Sequence, residues 1–109
     1  MKRELNLVLK NSKLAYQILD ELKKQGFNGT VITTESLRHA VDYYPEEHHF
    51  FTLRQLEQKD MLESIFVVFI VEEKEIGIIK DVVRRYTNNF KDIKGFMFSR
   101  SVDDYEGSI

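Results

Sequence analysis

The chain contains no cysteine and no tryptophan, one proline (Pro45) and five glycines among 109 residues. Without cysteine there are no disulfides, no thiolate nucleophile and no Cys-ligated zinc; a reducing compartment suits such a chain, and the cytoplasm is the expected location. The glycines are dispersed, so no Gly-rich phosphate loop forms, and no G-x-S-x-G nucleophile elbow is present. Neither sign of charge dominates: 16 Lys and Arg stand against 18 Asp and Glu, for a formal net charge of −2. A general nucleic-acid binder carries a basic excess on one face, so nucleic acid is not an expected partner. No apolar run approaches the ~20 residues that span a bilayer. The opening "MKRELNLVLKNSK" lacks the uninterrupted apolar segment of a secretory signal, so no membrane insertion is expected. What is present is ordinary for a globular protein: 42% hydrophobic and 31% charged residues, enough for one domain over residues 1–109 with a modest core.

The hydrophobic pattern orders that domain. "ELNLVLK" (4–10) alternates, with Leu5, Leu7 and Leu9 on one side, and predicts a half-buried strand. Asn11 and Ser12 are good helix caps. After them "KLAYQILDELKKQ" gathers Leu14, Ala15, Ile18, Leu19 and Leu22 on one helical face. Lys23, Lys24 and Gly26 mark its end, with cations at the carboxyl terminus and a glycine free to turn left-handed. "NGTVITT" is rich in β-branched residues and predicts a second strand. "ESIFVVFIVEE" is the most hydrophobic run and predicts a central strand. "KEIGIIKDVVRRYTNN" places Ile76, Ile79, Val83 and Tyr86 at helical spacing, and "KGFMFSRSV" predicts a last strand. The fold class is α+β: a ferredoxin-like βαββαβ chain with a four-stranded antiparallel sheet, two helices on one face and a long insertion between strands 2 and 3. The second sheet face is left bare, and apolar bare faces favour sheet-against-sheet association.

The insertion, residues 35–60, holds six acidic residues against three basic ones. A connection this long in a small domain is uncommon unless it is functional or disordered. "SLRHAVDYY" has helical spacing at Leu37, Ala40, Val41 and Tyr44, with Pro45 as a stop. The stretch "DYYPEEHHF" raises the question of a metal centre, since His39 lies just upstream. Adjacent residues such as His48 and His49 point apart on either a strand or a helix, and no H-x-x-x-H or H-E-x-x-H spacing exists. The expected metal ligands are therefore none. Tyr43, Tyr44, Phe50 and Phe51 supply apolar contact area. With His48 and His49 they form a candidate partner-contact loop. The carboxylate pairs Glu46–Glu47, Glu72–Glu73 and Asp103–Asp104 read as solvated neighbours, so no catalytic residue is expected and the chain is not read as an enzyme.

"GFNGTVITTES" resembles the helix–turn–strand that precedes the long T-loop of the P-II signal-transduction family. "ESIFVVFIVEEKEIGIIKDVVRRYTNN…IKGFMFS" is similar to that family's third strand, second helix and fourth strand. The likeness spans nearly all of the chain outside the insertion. Classical members carry a Gly-Asp-Gly-Lys type turn before the last strand, where this chain has "FKDIKGF" with Lys94 near the lysine position. The resemblance implies a homotrimer with inward-facing sheets, a T-loop that contacts a protein target, and a small effector between subunits. No cofactor is required, and a nucleotide is the candidate effector. The implied effector site is bounded by Thr33, Thr34 and Glu35 at the loop base and by Asn88, Asn89, Lys91 and Lys94 in the turn, with Arg100 beside it. Two alternatives share the architecture: a CutA-like trimer associated with divalent metals, and an ACT-like regulatory dimer that binds amino acids.

Overall fold

The alternation in the first strand is realised as a two-faced sheet. The computed structural model describes residues 1–34, 37, 41 and 64–108. Strand β1 spans Lys2–Lys10, helix α1 Lys13–Lys24, strand β2 Thr30–Thr34, strand β3 Ser64–Glu72, helix α2 Glu73–Thr87 and strand β4 Gly95–Ser101. The sheet order is β2-β3-β1-β4, and each neighbouring pair is antiparallel. This is the ferredoxin-like arrangement expected from the sequence.

One sheet face is closed. Leu5, Leu7 and Leu9 of β1 and Ile65 of β3 are fully buried, and Val67, Phe69 and Val71 continue the same row. The helices cover them with Ala15, Ile18 and Leu22 from α1 and Ile76, Ile79, Val82 and Val83 from α2. Burying such aliphatic side chains, at ~1.5–3 kcal/mol each, is the main force holding helices to sheet. Tyr86, expected on the apolar face, is only partly buried; its hydroxyl donates to Glu21 Oε1 at 3.3 Å and ties α2 to α1.

The helix ends follow the expected chemistry. Ser12 is the N-cap of α1, its Oγ accepting from the Ala15 N–H at 3.3 Å. Gly26 takes φ 91° just beyond the helix, where a side chain would be strained. At α2, Glu72 and Glu75 form a reciprocal capping box. The expected strand at 4–10 begins earlier, at Lys2. The Lys2 ammonium pairs with Glu72 at 3.2 Å and extends the ladder with β3. Helix α2 ends at Thr87 instead of running through the two asparagines, because Asn88 and Asn89 adopt left-handed φ of 52° and 56°.

Among the described residues no helix covers the other sheet face, and the strand register sorts it into rows. Ile32, Phe66, Val8 and Phe96 lie side by side across all four strands, and Thr30, Val68, Asn6 and Phe98 form the next row. Ile32, Phe96 and Phe98 are 49%, 54% and 46% exposed. The Phe96 and Phe98 rings stack at 6.4 Å. Contiguous exposure of this kind marks an interaction surface.

Candidate functional site

The turn between α2 and β4 has an unusual backbone. Three consecutive residues, Asn88, Asn89 and Phe90, have φ of 52°, 56° and 62°. Asparagine tolerates this region because its short amide satisfies itself locally, whereas a phenylalanine there is strained. Thr87 locks the turn. It is fully buried, and its Oγ1 donates to the Val83 carbonyl at 2.7 Å and accepts from the Phe90 N–H at 3.0 Å. The Thr87 carbonyl then accepts from the N–H groups of Lys91 at 3.1 Å and Asp92 at 3.0 Å. The Asn89 N–H donates to the Arg84 carbonyl at 2.9 Å. The chain is thereby wound back toward the sheet.

The turn delivers Lys94 against the end of β1. The Lys10 N–H donates to the Lys94 carbonyl at 2.9 Å. Gly95 makes this approach feasible: a Cβ there would strike the Val8 carbonyl and Leu9. A surface pocket of about 480 Å³ opens at this corner, lined by Lys10, Ser12 and Leu14 on one side and by residues 90–94 on the other. That volume lies within the ~300–1,000 Å³ usual for small-ligand sites. Leu14, Phe90 and Ile93 give it an apolar wall, and Lys10, Lys91 and Lys94 give it positive charge against the single carboxylate of Asp92.

The site residues expected from the sequence divide into groups. Lys91 and Lys94 line the pocket. Asn88 and Asn89 shape the turn and do not line it. Thr34 stands at the same end of the sheet, opposite Ser64, while Thr33 is opposite Ile65. With β3 and β1 between them, Thr34 and Lys94 are separated by three strand spacings, about 14 Å. Arg100 is not at this corner. It lies within β4 opposite Glu4, at the other end of the sheet. Glu35, Tyr43, Tyr44, His48, His49, Phe50 and Phe51 lie outside the described residues, as does His39. Among the described residues no three His, Asp or Glu side chains gather as a metal site, and no helix is long and apolar enough to cross a membrane. Sequence reasoning missed Lys10 and Thr87 and read Ser12 only as a helix cap.

Arg100 belongs to a polar network on the bare face. Its guanidinium lies 3.1 Å from Glu4 Oε2. The same carboxylate accepts from the Asn6 amide at 2.5 Å, and Asn6 is only 2% exposed. The Asn6 hydrogen bond, with help from Arg100, holds the Glu4 carboxyl below its ordinary value of 4.5. Because folding lowers this pKa, the ionised carboxylate stabilises the fold above about pH 4.5, and that contribution is lost as the pH falls through the lowered value. Melting curves taken from neutral to strongly acid pH should show wild type losing stability more steeply below about pH 4.5 than Glu4→Gln. Parallel curves for the two proteins would remove Glu4 from the acid response.

No protein-family model matches the sequence, and no curated protein matches it. Solved structures do match. CPII from Thiomonas intermedia, a nitrogen regulatory PII-like protein solved with ADP, AMP and bicarbonate bound, is similar at 14% identity over 98% of this chain and 96% of CPII, with a TM-score of 0.62. A second CPII structure with the same three ligands covers 90% of this chain and 83% of CPII at 16% identity, with a TM-score of 0.56. A protein of unknown function from Pediococcus pentosaceus covers 98% of this chain and 97% of its own length at 10% identity, with a TM-score of 0.63. At such identities the likeness speaks to architecture, and it agrees with the strand order and helix placement described above: the chain has a diverged PII-like fold.

Proposed function

We propose that the chain is a PII-like regulatory protein that works by binding and not by chemistry. An adenine nucleotide is its effector, held in clefts between the subunits of a cytoplasmic homotrimer, and the long segment after β2 presents Tyr43, Tyr44, His48, His49, Phe50 and Phe51 to a protein target. The observation that carries this reading is the cationic pocket built by the turn between α2 and β4, in a fold whose neighbour CPII is solved with ADP and AMP. The bare apolar sheet face supports assembly, since its exposed Phe96, Phe98 and Ile32 otherwise stand in water. Thr34 and Lys94 belong to one end of the sheet. A neighbouring subunit would close the ~14 Å between them into a cleft. The test is thermal denaturation with ATP, ADP, AMP and cyclic AMP, each with and without bicarbonate. A ligand present at ~100 times its dissociation constant adds roughly 2.7 kcal/mol of stability. Stabilisation by at least one adenine nucleotide is expected; unchanged melting with every one of them would remove the nucleotide reading.

A further inference from the structure

The sheet face that no described helix covers is not apolar throughout. Beyond the two largely apolar rows, Ile32–Phe66–Val8–Phe96 and Thr30–Val68–Asn6–Phe98, the register brings a charged end: Arg100 beside Glu4, then Lys2 beside Glu72. The Glu4–Arg100 pair is lopsided. The Glu4 side chain is 18% exposed and that of Arg100 69%, and the buried Asn6 amide holds the carboxylate in place. A guanidinium carries five N–H donors. Among the described residues only Nη2 of Arg100 is engaged, by the two Glu4 oxygens at 3.2 and 3.1 Å. The other donors stand in solvent next to the Phe98 row.

Water satisfies those donors in the single chain. A second copy that covers the apolar rows removes this water, and the donors then need acceptors, because an arginine keeps its charge. A symmetric copy brings the same patch. Of the two carboxylates on that patch, Glu72 is already shared by Lys2 and the Met1 amino group. Glu4 serves Arg100 and Asn6 alone among the described residues. We infer that Arg100 sets the register and copy number of the assembly: its free donors bond to Glu4 of the next copy, so that arginine and glutamate alternate in a closed ring while the apolar rows supply the affinity. The inference rests on the homotrimer reading and adds the contact that selects one arrangement. Aromatic and aliphatic side chains pack against each other in several registers, whereas a ring of alternating charge closes in one.

The experiment is co-expression of wild type with a charge-reversed chain, Glu4→Arg with Arg100→Glu, one of them tagged, read by native mass spectrometry. Within the reversed chain the pair is kept, and the Asn6 amide can turn its carbonyl toward an arginine. Alone, that chain should assemble as wild type does. In a mixed assembly every junction between the two kinds of chain sets like charges against each other. Mixed species should therefore fall at least roughly tenfold below their binomial share. A binomial mixture would mean that the pair closes within each chain, which overturns the inference and leaves the assembly reading standing. A monomeric wild type overturns both. If the reversed chain does not fold or assemble alone, Arg100→Gln decides. Its position is largely exposed, so the chain should melt close to wild type, while its subunit dissociation constant should rise roughly tenfold with the loss of a charge-assisted contact. An unchanged dissociation constant overturns the inference.

Discussion

Replacing Phe98 with lysine should convert the assembled protein to monomers. Phe98 lies on β4 opposite Asn6, on the sheet face that no described helix covers, and remains 46% exposed in the single chain. Packing sheet on sheet would bury the remaining half of the ring, about 1 kcal/mol per subunit on the usual scale for an aromatic side chain. A lysine there forgoes that gain and must strip water from an ammonium group, an effective penalty of several kcal/mol for an unpaired charge. In a closed symmetric assembly every subunit contributes the same patch, so the loss is multiplied by the number of subunits. Sedimentation at micromolar concentration should therefore give a homotrimer for wild type and a monomer for Phe98→Lys, with Phe98→Leu still assembled. The monomer should remain folded, because Phe98 is outside the buried cluster between sheet and helices. A monomeric wild type would overturn the assembly, and a dimer would favour the ACT-like alternative.

The contrast between the two sheet faces shows what local pattern can and cannot reveal. Leu5, Leu7 and Leu9 announce a buried row because a strand's side chains alternate with a period of two. The fully buried Leu5, Leu7 and Leu9 meet that expectation. The faces of both helices were similarly legible, as were Ser12 and Gly26, whose roles depend only on nearby backbone. Pairings set by register were not. Lys10 reads as an ordinary polar strand end until its N–H meets the Lys94 carbonyl just beyond the last β1–β4 pair, and Arg100 reads as a free cation until that ladder places it opposite Glu4. Register is a tertiary property, fixed by the whole pattern of both strands and not by either alone. Lys91 and Lys94 were site candidates through the resemblance of the turn before the last strand to that of the P-II family. The backbone of that turn was not legible, since nothing in the residue type of Phe90 favours a φ of 62°. The one signal pointing to that geometry was Thr87, a β-branched residue with a hydroxyl at the end of a helix, able to bond back to the carbonyl four residues earlier.

Thr87→Val is accordingly the substitution expected to damage both stability and effector binding. Valine matches threonine in shape, so the buried volume at this fully enclosed position is kept and no cavity opens. Two hydrogen bonds are lost: the 2.7 Å bond to the Val83 carbonyl and the 3.0 Å bond from the Phe90 N–H. The first loss is mild, since a helical carbonyl already has its own backbone donor. The second leaves the Phe90 N–H without its acceptor in a partly buried turn, and an abandoned donor costs ~1–3 kcal/mol. That N–H also stabilises the third of three left-handed residues, a conformation whose expense of order 1–3 kcal/mol for a bulky side chain persists only while surrounding bonds enforce it. Released, Phe90 should relax toward negative φ and carry Lys91 and Lys94 away from Lys10. A loss of about 2 kcal/mol corresponds to a fall in melting temperature of roughly 8–15 °C for a domain of this size. Nucleotide affinity should fall together with it, while Thr87→Ser, which keeps the hydroxyl, should retain affinity despite losing a methyl group. Wild-type nucleotide affinity in folded Thr87→Val would show that the turn's geometry is unimportant to the site. Equal loss of affinity in Thr87→Ser would assign the effect to packing and not to the hydroxyl.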